Sequence, residues 1–169
     1  MLRPLVRYGD PALSRPAAAV TVFDATLDRL IDDMVDTMYA APGIGLAAPQ
    51  VGVSLRVCVI DLSVGKRGGE LLTLINPEFV ERDGVQLEDE GCLSVPGFNA
   101  TVARPARAVV KALDRTGATR VVEGTNLMAR ALQHEIDHLD GVLFLDRLRG
   151  LKRDMIVRKI RKLQRAGEW

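Results

Sequence analysis

Cysteine, histidine, net charge and long apolar stretches are all scarce in this sequence, and each scarcity removes a class of protein. Two cysteines, Cys58 and Cys92, in 169 residues cannot form the framework of a disulfide-rich secreted domain. In a reducing compartment they read as buried thiols or metal ligands. Lysine and arginine number 23 against 22 acids, a balance too even to draw the chain to DNA or to a membrane surface. No apolar run nears the ~20 residues that a bilayer-spanning helix needs. Met1-Leu2-Arg3-Pro4 is not followed by the apolar segment of a signal peptide, nor is it an arginine-rich transit segment. A cytoplasmic protein is expected.

What remains is an ordinary globular composition, 47% hydrophobic and 27% charged, with no repeat or low-complexity tract. The length favours one domain over residues 1–169, with 147–169 as a C-terminal helical tail, and a monomer is presumed. Tyr8-Gly9-Asp10-Pro11 is turn chemistry. Asp24 stands where it can cap a helix whose Leu27, Leu30, Ile31, Met34, Val35 and Met38 recur at helical spacing. Asp28, Asp32, Asp33 and Asp36 form its wet side, and Pro42-Gly43 ends it. Residues 44–52 are too rich in glycine and proline for a regular element, yet too apolar for a casual loop.

Residues 56–62 have the β-branched character of a buried strand. A loop at 65–69 leads to a strand over 71–75, which Asn76-Pro77 interrupts and Phe79-Val80 continues. Residues 102–114 and 119–122 read as one further antiparallel pair. Thr125 then caps a helix to about Leu139, closed by Asp140-Gly141, and a last helix follows Gly150. Strands grouped between helices argue an α+β fold: antiparallel sheets packed around a central helix, with an N-terminal and a C-terminal helix.

The only histidines, His134 and His138, fall in H-E-I-D-H on that central helix. Random placement would put two histidines four apart about 1% of the time, and requiring glutamate after the first cuts this roughly twentyfold. On a helix such residues share a face with Cβ atoms ~5–6 Å apart, so both imidazoles can reach one ion. Glu135, ~100° further round, can touch a metal-bound water without becoming a ligand. The plain alternative is a pair of ordinary helix histidines. A catalytic centre wants three protein ligands and one open position. Cys58 lies in an apolar V-C-V-I run and reads as a small buried hydrophobe. Cys92, in E-G-C-L-S-V-P-G, stands on irregular backbone that can carry a thiolate to another element, although a buried inert thiol is the alternative. The expected shell is Cys92, His134, His138 and a water.

Three segments together resemble the motifs of the peptide deformylase family, in its order and at its approximate spacing. They are G-I-G-L-A-A-P-Q over 43–50, E-G-C-L-S over 90–94 and Q-H-E-I-D-H over 133–138. D-P-A-L over 10–13 and the helical tail extend the likeness over essentially the whole chain, to the bacterial type with a helical C-terminus. H-E-x-x-H alone is only moderate evidence for a metallopeptidase; the three motifs together are highly specific.

The resemblance implies a metal-dependent hydrolase that removes the formyl group from the N-terminal formylmethionine of newly synthesised proteins. Cys92, His134 and His138 would bind one divalent ion per chain, Fe²⁺ in cells, with Zn²⁺, Ni²⁺ or Co²⁺ also found in preparations. The ligand types alone lean towards zinc. A metal-bound water would attack the formyl carbonyl, with Glu135 as general base and then acid. Gln50 through its side-chain amide, and Leu93 through its backbone N–H, would hold the oxyanion. Ile44, Gly45 and Gly91 would give backbone contacts to an extended N-formylmethionyl peptide beside a strand edge. Ile44, Leu127 and Ala131 are candidate walls of the methionine pocket, or equally plain core. Arg130 and Ala131 fall where the family varies, and Asn99 receives no role.

Two rival classes stand beside this reading. A general metallopeptidase would cleave unformylated peptides, and a non-catalytic metal-binding or ribosome-interacting protein would need neither Glu135 nor Gln50. Glu90 and Arg104 are placed either to pair and hold the cysteine loop or to act as independent surface charges. The tail joins Arg149, Lys152, Arg153, Arg158, Lys159, Arg161 and Lys162 to a stripe of Leu148, Leu151, Met155, Ile156, Ile160 and Leu163. Such a helix suits an acidic surface such as RNA, and the resemblance suggests ribosome contact. A helix packed on the domain with a solvated cationic face is the preferred reading.

Overall fold

Helix formation starts where an aspartate can satisfy a free backbone donor. In the computed structural model, which describes residues 1–169, the Asp24 side chain accepts from the Leu27 N–H and opens α1 over Ala25–Ala40. Such a cap contributes about 1 kcal/mol. Leu27, Leu30, Ile31, Met34 and Met38 are buried, whereas Val35 is only half-buried. Asp33 departs from the expected wet face. It accepts from Arg3 Nε at 2.9 Å and from the Met1 amino group at 3.1 Å, tying the N-terminal segment to the helix.

Residues 44–52, expected to be irregular, hold the first strand. β1 is Gly45–Ala47, followed by a 3-10 turn at Ala48–Val51. β1 pairs antiparallel with β2, Val57–Ile60, setting Gly45 opposite Ile60 and Ala47 opposite Cys58. A strand of three residues owes its existence to that partner, not to local propensity. β2 is wholly buried and pairs next with β3, Leu72–Asp83. β3 passes through Asn76-Pro77 without ending: Asn76 takes a φ of 50°, and the register shifts beside it. Its side chain accepts from the Val20 N–H at 2.8 Å and donates to the Val20 carbonyl at 3.0 Å. The interruption is a bulge that the N-terminal segment stabilises.

Residues 102–114 are not one strand, which corrects the reading from sequence. β4, Gln86–Gly91, and β5, Asn99–Arg104, form a separate two-stranded sheet. The chain turns at Pro105, which lacks a ladder donor, and β6 at Arg107–Leu113 joins the larger sheet with β7, Thr119–Thr125. That sheet has the order β1-β2-β3-β6-β7. β4 escaped notice because Q-L-E-D-E-G carries no β-branched residue.

α2, Asn126–Leu139, is buried at every position from 129 to 139. Thr125 occupies the cap position but makes no side-chain cap bond. A helix covered on all sides buries its polar residues too, and those residues need partners. α3, Leu151–Arg165, docks through Ile156, Val157 and Ile160. Leu151 and Met155, counted in its apolar stripe from sequence, are 77% and 55% exposed. No helix is long and apolar enough to cross a membrane.

Asp61 gathers the loop that follows β2. Its Oδ1 accepts from the Ser63 N–H at 2.8 Å and O–H at 2.7 Å, and its Oδ2 accepts from the Gly65 N–H at 3.0 Å. Tyr39 of α1 donates its hydroxyl to Oδ2 at 2.5 Å. Burial first, then this bond, pushes the Tyr39 phenol up to about 12. The raised value belongs to the folded state, so its stabilisation is full below the ordinary pKa of ~10 and is lost as pH climbs through the folded one. An ultraviolet phenolate titration is expected to find one of the two tyrosines ionising near pH 12, and Asp61→Asn to lower that midpoint. Two ordinary midpoints in the parent protein would contradict the Tyr39–Asp61 bond.

Candidate metal centre

One turn of α2 separates His134 from His138, and it brings their Nε2 atoms to 3.2 Å. Cys92 follows β4 and places Sγ 3.4 Å from His138 Nε2. All three ligand atoms lie within 4.8 Å of one another. Metal–nitrogen bonds of ~2.05 Å at a tetrahedral angle set nitrogens ~3.3 Å apart, and a metal–sulfur bond of ~2.3 Å sets sulfur ~3.5 Å from nitrogen. The spacing therefore fits a single ion. Glu135 borders the same space: Oε1 is 3.9 Å from His134 Nε2, and buried Oε2 has no hydrogen-bond partner. Cys58, fully buried on β2, takes no part, and burial pushes its thiol up, out of reach of easy ionisation.

The second nitrogen of His134 is equally constrained. Its Nδ1 lies 2.6 Å from Glu90 Oε2, which leaves Nε2 free to ligate. Arg104 holds the same carboxylate through Nε at 2.7 Å and Nη2 at 2.6 Å, and Arg130 adds Nη1 at 2.7 Å. Arg104 also donates to Asp137 at 3.0 Å, and Arg147 donates to Asp137 at 2.7 Å. Glu90 and Arg104 are 6% and 5% exposed, so the alternative of two independent surface charges is excluded. Burial opposes the charge on Glu90, but Arg104 and then His134 hold its carboxyl well below the usual range. Removing one member of a buried pair costs about 3–5 kcal/mol. Burial, then His134, keeps His138 neutral, as a ligand must be. His134 itself is drawn up, against burial, by Cys92 and Glu90, so an ion on Nε2 would compete with that proton.

Gln50 sits in the 3-10 turn after β1. Its Oε1 accepts from the Ala47 N–H at 3.0 Å, which turns Nε2 towards Ser94 Oγ at 3.1 Å and Cys92 Sγ at 3.5 Å. The side chain thus presents a fixed donor beside the Cys92 sulfur. Gly45 lets β1 pass close to Glu135, since a Cβ there would lie 2.7 Å from Oε1. Gly43 does the same beside Leu93, where a Cβ would meet Cδ1 at 2.8 Å.

A cleft of about 820 Å³ opens between the free edges of β1 and β4. It touches every expected site residue except His138, which is fully buried behind it. Leu127 stands at its border, 50% exposed, and Ala131 is 5% exposed. Ala131 also joins the core cluster on the larger sheet, and Leu127 does not. Reasoning from sequence missed Arg130, Gln86 and Ser94. Arg130 had one usable signal, its place four residues before His134 on the same helical face. Asn99, left without a role, packs against Gly91 at the rim.

Cys92→Ala leaves two imidazoles of the three-atom cluster. The metal content of purified protein is expected to fall from one ion per chain towards zero after brief chelation. Unchanged content would move the third ligand to another side chain.

With that geometry in place, the relatives are informative. Residues 2–154 match the family described as Polypeptide deformylase. A peptide deformylase of Acidobacterium capsulatum is 53% identical over 169 residues, covering 100% of this chain and 99% of that protein. Among solved structures, a peptide deformylase from Legionella pneumophila superposes with a TM-score of 0.92 at 48% identity, covering 99% of this chain and 98% of that one. One from Synechococcus elongatus, in complex with actinonin, gives 0.89 at 41% identity, covering 94% and 87%. Sequence, fold and the spacing of the cysteine and the two histidines agree: this chain belongs to the polypeptide deformylase family.

Proposed function

We propose that this chain hydrolyses the formyl amide on the N-terminal methionine of newly synthesised proteins, with Glu135 moving the proton and Gln50 and the Leu93 N–H steadying the carbonyl oxygen. The observation that carries this reading is a buried carboxylate with one oxygen unpartnered, beside three converging ligand atoms. A divalent ion held by Cys92, His134 and His138 would supply Lewis acidity and make water acidic enough to ionise near neutral pH. Burial, partly offset by His134, pushes the Glu135 carboxyl up to about 7. A group so poised takes a proton from water and returns it to the departing amine. Gln50, already turned by Ala47, donates without reorganising, and a donor of that kind contributes about 3–4 kcal/mol to the transition state.

The substrate peptide would lie extended between the two free strand edges. Backbone groups of Ile44 and Gly45 would meet it on one side and Gly91 on the other. Ile44, Leu127 and the small Ala131 would wall the methionine side chain. The reading further gives Fe²⁺ as the ion in cells, although one thiolate and two imidazoles also suit Zn²⁺, Ni²⁺ or Co²⁺. The cytoplasm is the compartment where new formylated chains are met. A contact between the exposed Lys152, Arg158, Lys159, Arg161 and Lys162 of α3 and the ribosome stays a separate matter. Salt-sensitive co-sedimentation that Lys159→Glu with Lys162→Glu abolishes would establish it; no co-sedimentation would leave α3 as a packing element.

An anaerobic preparation is expected to deformylate formyl-Met-Ala-Ser and to leave Met-Ala-Ser intact. Cleavage of the free peptide would point instead to a general metallopeptidase. Glu135→Gln is expected to keep one ion per chain and to lose about 10²–10⁴-fold in kcat. An active Glu135→Gln protein would refute the assigned base.

A further inference from the structure

Beside the ligands and Glu135, the buried Arg130 engages three different residues at this centre. It lies one helical turn before His134 and is 4% exposed. Its Nε donates to Gln86 Oε1 at 3.1 Å, its Nη1 to Glu90 Oε1 at 2.7 Å and its Nη2 to the Val102 carbonyl at 2.8 Å. Gln86 opens β4, Glu90 stands near its end, and Val102 is in β5. One guanidinium therefore fastens both strands of the two-stranded sheet to α2.

The apolar cores leave that joint to polar groups. Ala129, Leu132, Ile136 and Leu139 of α2 pack on the five-stranded sheet. Ala100 and Val102 of the small sheet instead share a cluster with Phe144, Leu145 and Ile160. Yet the ligands lie across this joint. Cys92 leaves β4 two residues after Glu90, while both histidines ride on α2. The distance from sulfur to nitrogen depends on how the small sheet sits against the helix.

We propose that Arg130 is a positioning residue for the metal centre. Acting through Glu90 and Val102, it fixes the orientation of His134 and the approach of Cys92, and so slows loss of the ion. Glu90 Oε1 is filled by Arg104 Nε and Arg130, and Oε2 meets both Arg104 Nη2 and His134. A lysine at this place could meet Glu90 but could not reach Gln86 and Val102 at once, because an ammonium lacks the planar fork. Outer-shell partners of this kind typically change metal affinity by 10–100-fold. The inference rests on the reading of Cys92, His134 and His138 as ligands.

The test uses the full-length protein loaded with Co²⁺, whose visible and thiolate charge-transfer bands report the ligand set. Excess chelator is added and cobalt release is timed. Arg130→Met is expected to release Co²⁺ about tenfold faster with displaced bands, and Arg130→Lys to fall between it and the parent. Arg107→Met loses surface bonds to Glu81, Asp83 and Glu123 and is expected to release at the parental rate, separating positioning from general loss of ion pairs. Release within threefold of the parent in both Arg130 variants, whatever their Tm, overturns the proposal. Should Arg130→Met fail to fold, Arg130→Lys alone decides: release faster than the parent supports the proposal, and release at the parental rate overturns it. A parent that binds no Co²⁺ would sink the ligand reading, and this inference with it.

Discussion

A carboxylate removed from water must be surrounded by donors or give up its charge, and Glu90 is surrounded. It takes four contacts, two to each oxygen, from Arg104, Arg130 and His134. Desolvation of such an ion costs several kcal/mol, which only near-ideal partners offset. The consequence is geometric as much as energetic. Glu90 comes from β4, Arg104 from β5, and Arg130 and His134 from α2. Their shared anion holds a small, thinly packed sheet against a helix that is otherwise committed to the larger sheet. The cysteine is carried by one of these elements and the histidines by the other. The cluster of ligand atoms is thus a consequence of where Glu90 can be satisfied.

The rest of the centre follows from close approach. β1 ends one sheet and β4 begins another, so both present unpaired edges to the same cleft. Backbone groups at such edges suit an extended peptide. Glycine at 45 lets the β1 edge come near Glu135, and glycine at 43 makes room for Leu93. The 3-10 turn after β1 then carries Gln50 back over the Cys92 sulfur, with its amide oriented by Ala47. Function here depends on strands that stop short, and on the positions where side chains are missing.

What could be read from sequence was whatever depends on near neighbours. The capped α1, the buried β2 and the spacing of His134 and His138 rest on residues a few places apart, and all were legible. That Cys92 rather than Cys58 stands beside the two histidines was also readable, because glycine and proline around Cys92 contrast with the apolar run around Cys58. Pairing across distance was not legible. β1 exists because β2 lies beside it, and β4 exists because β5 does. The split at Pro105 was missed because residues on both sides favour strand. Arg130 received no role because it falls where the family varies, and a charged residue on a helix ordinarily faces water. Only the buried Glu90, 40 residues away in sequence, shows why it does not.

X-ray absorption at the edge of the bound ion tests the central claim most directly, since it reads the atoms around the metal without reference to activity. One sulfur at ~2.3 Å and two imidazole nitrogens at ~2.0–2.1 Å, with one further light atom, are predicted for the parent protein. A shell of nitrogen and oxygen alone, with no sulfur, would contradict it.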